Sequence, residues 1–215
     1  MPRGYGSGTI RDSTSLTQAE WKRILNLMTA PCTIAQMTEA GIERHTAEIV
    51  RAKTLAAIVA VQTTVKLEKK AVLAFETVPE KQKRAKTVLS ANNMEYQVVI
   101  AADANGNHIG TVLPAKSILK ETMYVSDELD DWISDHGVDE STVLDPGNDI
   151  DLAWHKFVSP FRSISMKYLN DYLQWFCFLR QQEVIGKSKK DIVNMLWKMI
   201  NEQERTLSNR NFRNR

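Results

Sequence analysis

Residues 167–179, reading KYLNDYLQWFCFL, constrain the fold more than any other stretch of this chain. Leu169, Tyr172, Leu173, Phe176 and Leu179 recur three or four positions apart, which places them on one face of an α-helix. An apolar face of that size must be covered by other elements, so the segment predicts a core helix with one buried side.

The elements around it change grammar along the chain. Residues 1–16 are rich in Gly, Ser and Thr and read as a loose arm. Thr17 and Glu20 form a capping box, and Trp21, Ile24, Leu25 and Met28 follow as an apolar face that ends at Ala30 and Pro31. Thr33 and Gln36 repeat the box and open a short helix that stops at Gly41. A third helix is expected from about residue 43 towards 61. It should turn Arg44, His45, Arg51 and Lys53 outward while Ala47, Val50, Ile58 and Val59 pack. Three helices with a Gly-containing turn before the last have the pattern of a helix-turn-helix, which small helical bundles share.

From about residue 70 the periodicity becomes that of strands. Residues 71–77 (AVLAFET) and 95–102 (EYQVVIAA) are short β-branched and aromatic runs, and residues 103–107 (DANGN) read as a hairpin turn returning through 108–113. A further strand is expected at 123–125 and a helix at 129–136. Residues 188–203 place Ile192, Met195, Leu196, Met199 and Ile200 on one face, as a capping or dimerisation helix would.

Composition excludes several classes. Lys and Arg total 28 against 26 acids, a net charge of +2, so any attraction to nucleic acid must be local. Cys32 and Cys177 are isolated, which gives neither a disulfide framework nor a zinc site, and His45, His108, His136 and His155 show no ligand spacing. No phosphate loop, nucleophile elbow or HExxH occurs. No apolar run has membrane-spanning length and the N-terminus lacks the apolar core of a signal peptide, so no membrane is expected as a partner. A cytoplasmic, nucleoid-associated location is the expectation. The sharpest basic runs are Lys81, Lys83, Arg84 and Lys86 in a predicted inter-strand loop, and the lysines of residues 187–190. The tail 209–215 adds three Arg and no acid.

Three sets of residues carry a resemblance. One is the KYLNDYLQW phrase. The second is the succession Gly8-Thr9-Ile10, Ser15-Leu16, Trp21-Lys22, Gly41-Ile42 and Thr46-Ala47, and the third is Val125-Ser126-Asp127-Glu128. In this order, across most of residues 8–180, they resemble the bacterial insertion-sequence DDE transposases of the ISXO-like group, relatives of the Merlin elements. The resemblance implies an α+β or α/β chain. Residues 1–16 would be the flexible arm, 17–66 a helix-turn-helix-like three-helix domain, 67–183 an RNase H-like mixed sheet with flanking helices, and 184–215 a C-terminal helix and basic tail. The Cys-rich zinc ribbon that precedes this region in the family is expected to be missing.

That family holds two divalent ions with three acids, which activate water and then a DNA 3′-hydroxyl for in-line attack. The position of the first acid, an Asp followed by Glu, matches Phe75-Glu76, and an aromatic ring cannot ligate a metal. Glu76 is a weak substitute, because alternate strand residues face opposite ways. The second acid matches Asp127, which is equally a helix N-cap. The third matches Asp151, near His155, with Asp149 and Asp145 as rivals.

The leading expectation is a transposase-derived DNA-binding protein without strand-transfer chemistry and without a cofactor, acting as a regulator, architectural factor or structural subunit. Double-stranded DNA would meet Arg44, His45, Arg51, Lys53 and the loop cations Lys81, Lys83, Arg84 and Lys86. At least a dimer is expected, possible protein partners aside. An active transposase or nuclease using Mg2+ or Mn2+ is the alternative, and a protein-interaction module that binds no nucleic acid is the second.

Overall fold

The computed structural model describes residues 16–79, 95–114, 118–119, 124–125, 127–143, 148–161 and 164–202. It is a mixed α+β protein. In chain order the elements are helices α1 (Gln18–Leu27), α2 (Ile34–Glu39) and α3 (Arg44–Gln62), then strands β1 (Lys69–Pro79), β2 (Glu95–Asp103), β3 (His108–Pro114), β4 (Ile118–Leu119) and β5 (Tyr124–Val125). Helix α4 (Asp127–Asp135), strand β6 (Val138–Val143) and helices α5 (Asp149–Val158), α6 (Met166–Val184) and α7 (Lys189–Glu202) complete the chain. They divide into two compact units. A helical unit comprises Met1–Thr64, Phe157–Phe161 and Gln174–Arg215, and a strand unit comprises Val65–Lys156 and Arg162–Leu173.

In the helical unit the first two helices begin as their side chains dictate. The Thr17 hydroxyl accepts from Glu20 N at 3.3 Å while Glu20 accepts from Thr17 N at 2.7 Å, so two otherwise orphaned N–H groups are satisfied reciprocally. Thr33 and Gln36 repeat this at 3.2 and 2.8 Å. Helix α2 closes with Ile42 N donating to Met37 O at 3.1 Å and Gly41 N to Thr38 O at 2.9 Å. That closure needs Gly41 at φ 81°, a conformation that costs a residue with a Cβ. Helix α7 packs on α1 and α3. Trp175 is fully buried, donates Nε1–H to Met28 O at 3.1 Å and meets Phe157 edge-on at 5.3 Å between centroids.

Two expectations change here. The central helix does not bury a single face: Gln174, Trp175, Cys177 and Phe178 are buried along with Tyr172, Leu173 and Phe176, so α6 is enclosed on all sides over this stretch. Between Tyr172 and Phe178 the one polar side chain apart from the tyrosine is the uncharged Gln174, which is why a stripe reading underestimated the burial of this stretch. Lys53, expected outward, is 4 % exposed. It opens a run in which Thr54, Leu55, Ala56, Ala57 and Ile58 are also buried, so the second half of α3 presents no free face on which Lys53 could stand.

The strand unit is built on a four-stranded sheet of order β3-β2-β1-β6. Strands β1, β2 and β3 form an antiparallel meander, while β6 runs parallel to β1 with Leu73 beside Val143. The hairpin between β2 and β3 is organised by Asp103, whose carboxylate accepts from Asn105 N, Asn107 N, Asn107 Nδ2 and Glu68 N at 2.8–3.0 Å. Alternation along the strands sorts the faces. Ala71 and Leu73 join Val99, Ala101 and Ile109 and the α4 residues Leu129 and Ile133 in one cluster, with Phe75 packed against it. On the other face, a Cβ at Gly110 would lie 2.7 Å from Leu173 Cγ, so glycine is what lets α6 approach the sheet. Strand β6 was not foreseen. Its sequence, VDESTV, has apolar residues only at its ends, and Asp139, Glu140, Ser141 and Thr142 are exposed at the sheet edge.

Candidate functional site

A two-ion site needs carboxylates that converge from neighbouring elements, because each ion takes several hard oxygen ligands and the ions sit only a few ångströms apart. Phe75, the residue matched in sequence to the first acid, lies opposite Val99 in the β1–β2 register, and its ring packs on the hydrophobic cluster under the sheet. Glu76 pairs with Val98 in the backbone register, and its side chain lies outside the described residues.

Asp127 is the first residue of α4 and follows β5, as expected of a residue just past a strand end. That strand, however, pairs only with β4 in a separate two-stranded sheet, whereas the strands flanking β1 are β2 and β6. The side chain of Asp127 lies outside the described residues, as does Asp145, which comes two positions after the end of β6 in the sequence.

Asp151 sits in the first turn of α5, whose opening N–H groups at Ile150 and Asp151 donate to Asn148 Oδ1 at 2.9 and 3.0 Å. One helical turn on, His155 Nε2 lies 3.4 Å from Asp151 Oδ1, with the carboxylate mostly shielded and the imidazole half exposed. Asp149 is exposed. Asp151 and His155 are therefore brought together by helix geometry. Among the described residues no group of three or more His, Cys, Asp or Glu is placed to hold a metal ion.

The cations expected to meet DNA fall into three situations. Arg44 and His45 are exposed on the first turn of α3, and Arg44 Nε lies 3.1 Å from Glu48 Oε1, a solvent-screened pair of small energetic weight. Beneath them Glu43 accepts from His45 N at 2.9 Å and Thr46 N at 2.7 Å. Those bonds hold its carboxyl below the usual range, so the N-terminus of α3 is already occupied by an anion of its own. Arg51 is half-buried near Cys32, whose thiol burial pushes up and Arg51 pulls down, and Lys53 is buried. Lys81, Lys83, Arg84 and Lys86 lie outside the described residues.

One property of the surface was missed from the sequence. Among the described residues the helical unit holds 10 Lys and Arg against 7 Asp and Glu, a surplus of three cations, and the strand unit holds 5 against 14, a surplus of nine anions. The net +2 of the whole chain therefore conceals a partition of charge between the described parts of the two units. The signal was present in the residue counts but could not be summed correctly, because the C-terminal segment from Gln174 belongs with the first helices.

Among the described residues no helix is long and apolar enough to cross a membrane. Comparison with protein-family models, curated proteins and solved structures found no match to this chain.

Proposed function

We propose that this is a DNA-binding protein of transposase descent that has lost strand-transfer chemistry and acts on DNA as a regulator, architectural factor or structural subunit. The observation that carries DNA binding is the charge partition: among the described residues the helical unit has a surplus of three cations while the strand unit has a surplus of nine anions, which supports a polyanion partner for the helical unit. Helices α2 and α3, joined through the tight turn at Gly41, support a helix-turn-helix reading in which the exposed first turn of α3, with Arg44 and His45, and the half-buried Arg51 further along approach the duplex.

The strand unit supports an RNase H-like reading. Its three-stranded meander has a first strand that also pairs in parallel with a fourth, reached through a helix. Phe75 packed on the cluster beneath that first strand supports the loss of chemistry, since an ion at this point would face a hydrocarbon ring instead of an oxygen ligand.

The test is a titration of the full chain with duplex DNA by fluorescence anisotropy at several salt concentrations, joined to a supercoiled-plasmid assay with Mg2+ or Mn2+. Salt-sensitive binding without nicking is expected. Nicking that Asp127→Asn abolishes would show a living enzyme, and absence of binding at low salt would favour a protein-interaction module.

A further inference from the structure

We infer that the exposed face of α7 is a second DNA-backbone contact surface, with Lys187, Lys190 and Lys198 as its phosphate ligands. The inference rests on the DNA-binding reading above but assigns contacts to an element outside the helix-turn-helix-like segment. Helix α7 buries Ile192, Val193, Leu196 and Ile200, and this fixes its rotation in the helical unit. Lys190, Asn194 and Lys198, spaced by one turn each, then share the opposite side, and all three are exposed, as is Lys187 just before the helix. From Lys190 to Lys198 the stripe runs about 12 Å along the axis, enough to follow several phosphates of one strand, which succeed one another every ~3.4 Å along the duplex.

The charges on this face are arranged against local convenience. Lys187, Lys189 and Lys190 stand at the end of α7 where the helix's own dipole disfavours cations. The acid beside them, Asp191, is committed to the cap: Ser188 donates to its Oδ2 from Oγ at 2.6 Å and from N at 3.2 Å. These bonds, followed by the nearby Lys187 and Lys190, hold its carboxyl below the usual range. Lys198 reaches Glu202 at only 3.8 Å with both side chains more than half exposed, a screened pair that a phosphate can replace. The chain then continues into residues 203–215, with four Arg and one Glu, so the basic character extends beyond the helix in sequence. Three lysines at the wrong end of a helix dipole, with their neighbouring acid held in a cap and Lys198 continuing the stripe, fit a polyanion better than they fit solvent.

The experiment compares the full chain with the triple variant Lys187→Gln, Lys190→Gln, Lys198→Gln, with the corresponding triple Lys→Arg variant, and with Arg44→Gln, Arg51→Gln. Each is titrated with a random-sequence duplex of about 30 base pairs across salt concentrations, after circular dichroism has verified the helical content. The Gln triple should lower the slope of log affinity against log salt by about 2.7, or 0.9 for each phosphate contact, and weaken binding equally for unrelated sequences. The Arg triple should restore both. If the wild type binds and the Gln triple keeps its slope and affinity while the α3 variant loses them, the α7 surface is overturned and the DNA-binding reading stands. A wild type that binds no duplex at 50 mM salt overturns both.

Discussion

Among the described residues the helical unit carries three surplus cations and opens its first helices with Thr17, Thr33 and Glu43 as caps, whereas the strand unit carries nine surplus anions and commits one of its acids, Asp103, to a hairpin turn. A net charge near zero thus describes neither part. A polyanion would be drawn to the helical unit in preference to the strand unit if local charge decides the encounter. Among the described residues the strand unit's acids do not converge on a group of three that could hold a metal ion, and Phe75 packs on the apolar cluster. Abundance of carboxylates is therefore no measure of catalytic capacity; convergence is.

The largest effect should come from the helical core. Trp175→Ala removes a fully buried indole and the N–H that serves Met28 O, and should cost about 3–5 kcal/mol of stability in urea unfolding followed by circular dichroism. DNA affinity should fall with it. If the variant kept full affinity while its helices melted early, the assignment of binding to the helical unit would be broken.

The counterpart in the strand unit is Gly110→Ala. The new Cβ would press on Leu173 at 2.7 Å, and the overpacking should cost about 1–3 kcal/mol. Here the salt dependence of DNA binding should be unchanged under conditions where the variant is folded. A changed slope would mean that the sheet takes part in binding, and the contrast between the units would lose its functional meaning.

The smallest effect is a pH dependence at Asp103. Burial pushes this carboxyl up, but the hydrogen bonds from Asn107, Glu68 and Asn105 outweigh it and hold the carboxyl below its ordinary value of 3.8. The folded state therefore binds the proton less readily than the unfolded chain. The resulting stabilisation is present above pH 3.8 and is lost as pH falls through the lower folded value. Acid titration of thermal stability should show this loss in the wild type and a shallower one in Asp103→Asn. Equal acid limbs in the two proteins would remove Asp103 as the organiser of the turn.

Much of the local structure was legible. The capping boxes at Thr17 and Thr33, the stop at Gly41 and the Asn105-Gly106 reversal were readable because each depends on hydrogen bonds within a few residues. The candidate site was less so. Arg44 and His45 stand exposed as anticipated, while Lys53 does not, because exposure near the middle of α3 depends on what packs around it and not on the residue's charge. Strand β6 escaped notice for the same reason. A polar edge strand is stabilised by its backbone partner, Ala71 to Leu73 of β1, and leaves little mark in its own side chains.

By itself the sequence determined where the first helices begin, where the second one stops, and where the hairpin turns. These follow from short-range hydrogen bonding, backbone preference and side-chain chemistry. Only the tertiary structure decided that residues 172–178 of α6 are all buried, that β6 lies parallel to β1, and that the C-terminal segment from Gln174 belongs with the first three helices. Burial, strand neighbours and the summed charge of a surface are properties of residues far apart in the chain, and the fold alone determines which of them are added together.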